Sequence, residues 1–259
     1  MSLPERHRYG RARGQYGELF LPPGSGPFPV AVVLHGGFWR AQYGRKQTHL
    51  VCADLAARGW AAWNVEYRRV GRLSGGGYPS TLDDVAAAVD HLADLPAHAR
   101  VGEPEAGPSL FRFDLARVVA IGHSAGGHLA AWLATRERPR VAVTGVVAQA
   151  GVLDLRLASE LRLARGAVHR FLGGTPDAVP DRYAAASPAE RLPLGVPALL
   201  THGGRDGEVP PAMSERFAAA ARGSGDEVAL VVEPGGGHFG HLDPANRLWQ
   251  AVPRWLETR

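Results

Sequence analysis

The chain has 259 residues, 45% of them hydrophobic and 21% charged, and a formal net charge of +4 at pH 7. That length suits one α/β domain with a sizeable core, and the balance excludes the disordered class, which combines low hydrophobicity with high charge. The basic excess is small and its arginines lie scattered among alanines, no run is long enough to span a membrane, and residues 1–8 lack the apolar stretch of a signal peptide. Nucleic-acid and membrane partners are therefore not expected, and a cytoplasmic location is. The single cysteine, Cys52, falls in a helical pattern with Leu55 and Ala56 and is expected as a small core residue.

Taken in order, residues 14–22 read as a first strand, closed by Pro22, Pro23 and Gly24. The run Val30-Ala31-Val32-Val33-Leu34 is a strand buried on both faces. Residues 48–58 have helical periodicity with Gly59 as the C-terminal cap, and residues 60–67 form the next strand. A glycine-rich loop, 68–78, leads to a long helix opened by Pro79, with Leu82, Val85, Ala86, Val89 and Leu92 on its apolar face. Pro96 ends it, and residues 97–110 read as a surface connection. A strand through Val118 to Ile121, a helix over 125–135 and a strand over 141–149 continue the alternation, which predicts a mostly parallel sheet with helices on both faces.

Between 151 and 192 the rhythm breaks. Leucines interleaved with arginines suggest one or two short helices there, forming either a small lid or a crossover helix with a long loop. Strand 197–201, helix 211–222, strand 228–233 and a last amphipathic helix through Leu248, Trp249, Val252 and Trp255 complete the chain.

Chemistry concentrates at Gly122-His123-Ser124-Ala125-Gly126, a G-x-S-x-G pattern between an apolar strand and a helix. A strand that reverses this sharply has room only for small residues two positions either side of the serine, and the turn projects the hydroxyl beyond the sheet edge. A serine hydroxyl needs a base to take its proton, and the base needs an acid to fix its tautomer. Asp206 follows one later strand and His238, after Gly235-Gly236-Gly237, follows the next. Glu208 is the alternative acid. His241 is the alternative base, or else the cap of the last helix. His-Gly-Gly at 35–37 follows the 30–34 strand and offers an oxyanion site: Gly37 and Phe38 are expected to donate backbone N–H groups together with Ala125, Gly36 to allow the bend, and His35 to be bonded within the loop. His123 and His128 are expected as pocket wall and packing residues.

His35-Gly36-Gly37-Phe38-Trp39, Gly122-His123-Ser124-Ala125-Gly126-Gly127, Asp206 and His238-Phe239 together resemble the α/β-hydrolase superfamily over about Pro29 to the C-terminus. Among its branches they are similar to esterases related to hormone-sensitive lipase, to arylformamidase and to the catalytic domains of prolyl-oligopeptidase-type proteins. The third glycine usual in lipase relatives is replaced by Phe38, closer to the arylformamidase pattern; the segment before the first strand is short for a helical cap, and no propeller precedes it.

The resemblance implies an α/β-hydrolase fold in a single domain, 1–259, with a small or absent lid at 151–192. It implies a serine carboxylesterase working through a Ser124-His238-Asp206 triad and an acyl-enzyme. An arylformamidase or other amide hydrolase is the alternative, and acyl transfer or a non-catalytic binding protein on this scaffold remain open. No cofactor or metal is required, the partner is a small ester or amide, and a homodimer is left open. The acyl pocket is expected to be open, lined by Trp39, Tyr67 and His123, with Trp39 as a simple core residue the alternative.

Overall fold

The computed structural model describes residues 4–95 and 112–259, so the expected helix stop at Pro96 and the connection 97–110 lie outside the described residues. Its strands are β1 (Glu5–Arg8), β2 (Tyr16–Phe20), β3 (Phe28–Leu34), β4 (Ala61–Glu66), β5 (Phe113–His123), β6 (Gly145–Gln149), β7 (Ala198–Gly203) and β8 (Val228–Glu233). They form one eight-stranded sheet in the order β1-β2-β4-β3-β5-β6-β7-β8. β1 and β2 pair antiparallel, as do β2 and β4; every later pairing is parallel. The reversal of strand order around β3 puts the carboxyl ends of β3 and β5 side by side, where doubly wound sheets open a crevice for ligands.

β3 reads as a continuous apolar run because both of its faces are covered. Val30, Val32 and Leu34 belong to one core, which holds the apolar sides of α2 (Ser80–Asp90), α3 (Ala125–Ala134) and α7 (Ala212–Gly223). Ala31 and Val33 belong to the other, closed by α1 (His49–Ala57) and α8 (Arg247–Leu256). Cys52 is fully buried in this second core; burial pushes its thiol well above the ordinary range, so it is packing and not nucleophile. Asn246 caps α8 by accepting from the Leu248 N–H at 3.0 Å. His241 lies earlier, in a short 3₁₀ turn, and is not the cap.

Two differences from the sequence reading have physical causes. β1 has no apolar alternation, because it is an edge strand whose side chains are half-buried or exposed and it is held by backbone pairing to β2. The segment after β6 folds into three helices, α4 (Leu155–Glu160), α5 (Leu163–Leu172) and α6 (Pro180–Ala186), more than the one or two expected. They pack inward: Trp132 on α3 donates to the Ala185 carbonyl at 3.0 Å, and the His128 Nε2 lies 2.9 Å from the Ala186 carbonyl.

Candidate active site

The turn from β5 into α3 is fixed by sterics. A Cβ on Gly122 would lie 2.0 Å from the Gly126 carbonyl oxygen, and one on Gly126 would lie 2.0 Å from the Leu34 carbonyl oxygen. Neither approach is tolerated by any side chain, so both ends of the pattern are locked by backbone contact. Between them Ser124 takes φ 57° and ψ −119°, outside the ordinary regions for a side-chain-bearing residue. Its N–H donates to the Gln149 carbonyl on β6 at 2.7 Å, which anchors the turn to the neighbouring strand. The Ser124 hydroxyl is buried and makes no hydrogen bond among the described residues.

Two loops beyond β7 and β8 bring an acid and a base to this edge. The His238 Nδ1 lies 2.7 Å from Asp206 Oδ2, so the proton sits on Nδ1 and leaves Nε2 as the basic lone pair. The other Asp206 oxygen accepts from the N–H groups of Glu208 and Val209 at 2.8 and 2.9 Å. The acid on the histidine is therefore Asp206, while Glu208 contributes its backbone to hold that carboxylate. His202, unremarked in the sequence, is a further partner: its Nε2 lies 3.3 Å from Asp206 Oδ2 and its Nδ1 2.7 Å from Ser214 Oγ. Burial works against charge on Asp206, but the bonds from His202, His238 and Val209 outweigh it and hold the carboxyl well below the usual range.

His123 supports His238 from behind. Its Nε2 donates to the His238 carbonyl at 2.8 Å, and its ring centroid lies 4.6 Å from that of His238. Burial and then the neighbouring His238 push its pKa down to about 3, so it stays neutral and keeps donating. His241 is buried, with Nδ1 3.1 Å from Thr201 Oγ1; among the described residues the histidines paired with Asp206 are His202 and His238.

The loop after β3 bends over the serine. Gly37 has φ 108°, and a Cβ there would meet the Tyr43 Cβ at 2.4 Å; Phe38 and Trp39 follow at φ 48° and 56°. This left-handed run leaves the N–H groups of Gly37 and Phe38 without an acceptor among the described residues, as is the N–H of Ala125 at the start of α3. His35 holds the root of the loop, with Nδ1 2.8 Å from the Gly36 carbonyl and Nε2 3.0 Å from Glu66 Oε1. The Tyr67 ring stacks on His35 at 4.3 Å, and its hydroxyl donates to the His35 carbonyl at 2.7 Å. Glu66 could have been noticed in the sequence as a carboxylate closing a strand whose other residues, apart from Asn64, are apolar.

A cavity of about 260 Å³ joins these parts. Ser124, His123, His238, Gly37 and Phe38 line it together with Tyr43, Gln47, Glu208, Phe239 and Leu242. Trp39 and Tyr67, expected as pocket walls, do not line it. Trp39 is turned into the core, stacked on Phe171 at 4.5 Å with Nε1 donating to His128 Nδ1 at 3.3 Å, and Tyr67 is fully buried beneath His35. The actual walls come from the 43–47 turn and from Phe239 and Leu242 just past the histidine. No residue of 151–192 lines this cavity; that segment buttresses Trp39 instead.

The BD-FAE family model matches residues 18–220. The chain is 28% identical to Esterase LipC of Mycobacterium tuberculosis (strain ATCC 25618 / H37Rv) over 85% of its length and 55% of that protein. It is 25% identical to Esterase LipQ of the same strain over 79% of its length and 48% of that protein. It thus spans about half the length of these curated relatives. Among solved structures, the propionate-bound esterase Est2 of Thermogutta terrifontis superposes with a TM-score of 0.75 at 23% identity, covering 98% of this chain and 92% of that one. That likeness establishes the α/β-hydrolase fold.

Proposed function

The chain belongs to the BD-FAE family, and on that premise we propose that it is a serine esterase acting on small carboxylic esters. The observation that carries the proposal is the convergence, on one cavity, of the Ser124 hydroxyl, a histidine held by Asp206 at 2.7 Å, and the loop bearing the free N–H groups of Gly37 and Phe38. In the proposed reaction the His238 Nε2 takes the proton from Ser124 Oγ as that oxygen attacks the ester carbonyl. Asp206 stabilises the imidazolium so formed. The N–H groups of Gly37, Phe38 and Ala125 receive the negative charge that develops on the carbonyl oxygen. Each such donor is worth about 10²–10³ in turnover. His238 then protonates the leaving alkoxide, and a water activated by the same nitrogen releases the acyl group from Ser124.

The cavity, about 260 Å³ and walled by Phe38, Tyr43, Phe239 and Leu242, suits a short acyl chain. It lies below the range of about 300–1,000 Å³ typical of pockets for larger ligands. Purified protein should hydrolyse 4-nitrophenyl acetate or butyrate faster than the decanoate, and a fluorophosphonate should label it. Ser124→Ala should abolish both signals. Survival of both in that variant, or turnover of N-formylkynurenine exceeding that of every ester, refutes the proposal.

A further inference from the structure

The fold brings together arginines from two stretches far apart in the sequence, 6–13 and 68–72. A second cavity, about 820 Å³, opens between β1, the turn after it and the loop that follows β4. Arg6, Arg8, Arg13, Arg68, Arg69 and Arg72 all line it, and among the described residues the only carboxylate in its wall is Glu66. Glu66 is already engaged by His35 on the far side, at 3.0 Å.

The fold itself accounts for three of these arginines. Arg68 grips Asp84 through paired bonds of 2.6–3.0 Å, Arg6 lies 3.3 Å from Glu18, and Arg69 lies 3.4 Å from Glu66. The other three have no carboxylate among the described residues. Arg8 bonds the backbone carbonyls of Arg11 and Ala12 at 3.2 and 2.6 Å, while Arg13 and Arg72 are exposed and make no hydrogen bond or ion pair among the described residues. Like charges around one concavity repel each other, and a cleft with low-dielectric walls focuses their field on whatever enters it. A planar guanidinium offers parallel N–H groups that match two oxygens of a phosphate or carboxylate. One lip is apolar, since Leu73 is fully exposed there.

We propose that this cavity is a binding site for a small organic polyanion, a molecule that carries two or more phosphate or carboxylate groups on an apolar or sugar-like body. Arg8, Arg13 and Arg72 supply the charge that the fold leaves uncompensated, and Leu73 covers part of the ligand body. The volume fits a ligand of nucleotide size, within the range of about 300–1,000 Å³ found for organic-ligand pockets. The site is separate from the ester cavity, with which it shares no lining residue, so its occupancy does not depend on the esterase proposal.

The test is calorimetric titration of the full chain at 150 mM NaCl with the magnesium-free sodium salt of ATP, with pyrophosphate and with citrate. Beside it runs co-sedimentation with vesicles of phosphatidylcholine alone or with added phosphatidylglycerol. The control is the double variant Arg13→Glu/Arg72→Glu, which alters two exposed side chains and should melt at the wild-type temperature without ligand.

Saturable one-to-one binding of a soluble probe, weakened at least about tenfold in the double variant, supports the site and makes its ligand a free polyanion. Binding only to the phosphatidylglycerol vesicles, lost in the same variant, supports it with the phosphate on a lipid headgroup. Absence of binding in both arms overturns the proposal, and so does binding that the double variant retains in full.

Discussion

Asp206 shows how much of the site rests on single atoms. Its Oδ1 holds the loop by accepting from Glu208 and Val209, and its Oδ2 holds the His238 ring. Asp206→Asn can keep the first role, because the amide oxygen still accepts two N–H bonds. It fails in the second, because an amide nitrogen facing the ring reverses the tautomer and removes the lone pair from the side that meets Ser124. The expected result is a drop of about 10³–10⁴ in kcat for nitrophenyl acetate in a variant that still folds, with a melting temperature lowered only by the loss of the carboxylate's charge. Steady-state kinetics beside a thermal melt checks it, and a variant with near-normal kcat contradicts the assignment of the acid. Ser124, Asp206 and His238 were legible as candidates because each sits in a short glycine-rich stretch directly after an apolar strand. His202 was not legible, since its link to Asp206 depends on a loop doubling back, and nothing in the residues around it distinguishes it from a packing histidine.

Among the elements, α5 carries an unexpected load. Phe171 near its C-terminus stacks on Trp39 at 4.5 Å and meets the edge of His128 at 5.6 Å. Trp39 directly follows Phe38, so α5 supports the loop that bends over Ser124 from the side opposite the cavity. Phe171→Ala should cost about 3–5 kcal/mol, as expected for a large buried aromatic. It should also lower turnover in the population that remains folded, because the loop loses its backing. Urea denaturation gives the first quantity and kcat at 20 °C, well below the melt, gives the second; unchanged turnover in the folded variant means that the loop is held from elsewhere. The sequence marks 151–192 as a break in the alternation but does not say what it covers. Short helices with exposed arginines and leucines on one face read alike whether they close a pocket or brace a loop, and only the partner they meet decides.

The whole molecule buries several histidines in their neutral form. Burial above all pushes His123 down to about 3 and His128 down to about 4, and it pushes His241 well below its ordinary value. A histidine free in the unfolded chain titrates near pH 6.5. Between that value and the depressed folded value the unfolded chain binds the proton and the folded chain does not, so stability falls as pH falls. The contribution is fully present above about pH 6.5 and is lost toward pH 4, at up to about 1.4 kcal/mol per pH unit for each group. Asp206, also held low, acts in the same direction below its ordinary range of about 4. The urea midpoint should therefore decline steadily between pH 7 and pH 4.5, and His128→Gln should flatten that slope; a midpoint independent of pH over this interval would show that these histidines are not buried neutral.

The sequence alone determined what short-range sterics and periodicity control. The G-x-S-x-G turn, the two-faced apolar strands, the alternation that makes a mostly parallel sheet, and the serine–acid–base order along the chain all follow from neighbours a few residues apart. Tertiary structure decided what depends on residues far apart in the chain. It turned Trp39 away from the cavity at Ser124, because Phe171 and His128 offer it a buried stack and a hydrogen bond. It built the cavity walls from Tyr43, Gln47, Phe239 and Leu242. It also drew arginines from β1 and from the loop after β4 around one hollow, a concentration of charge that the small net balance of the chain conceals.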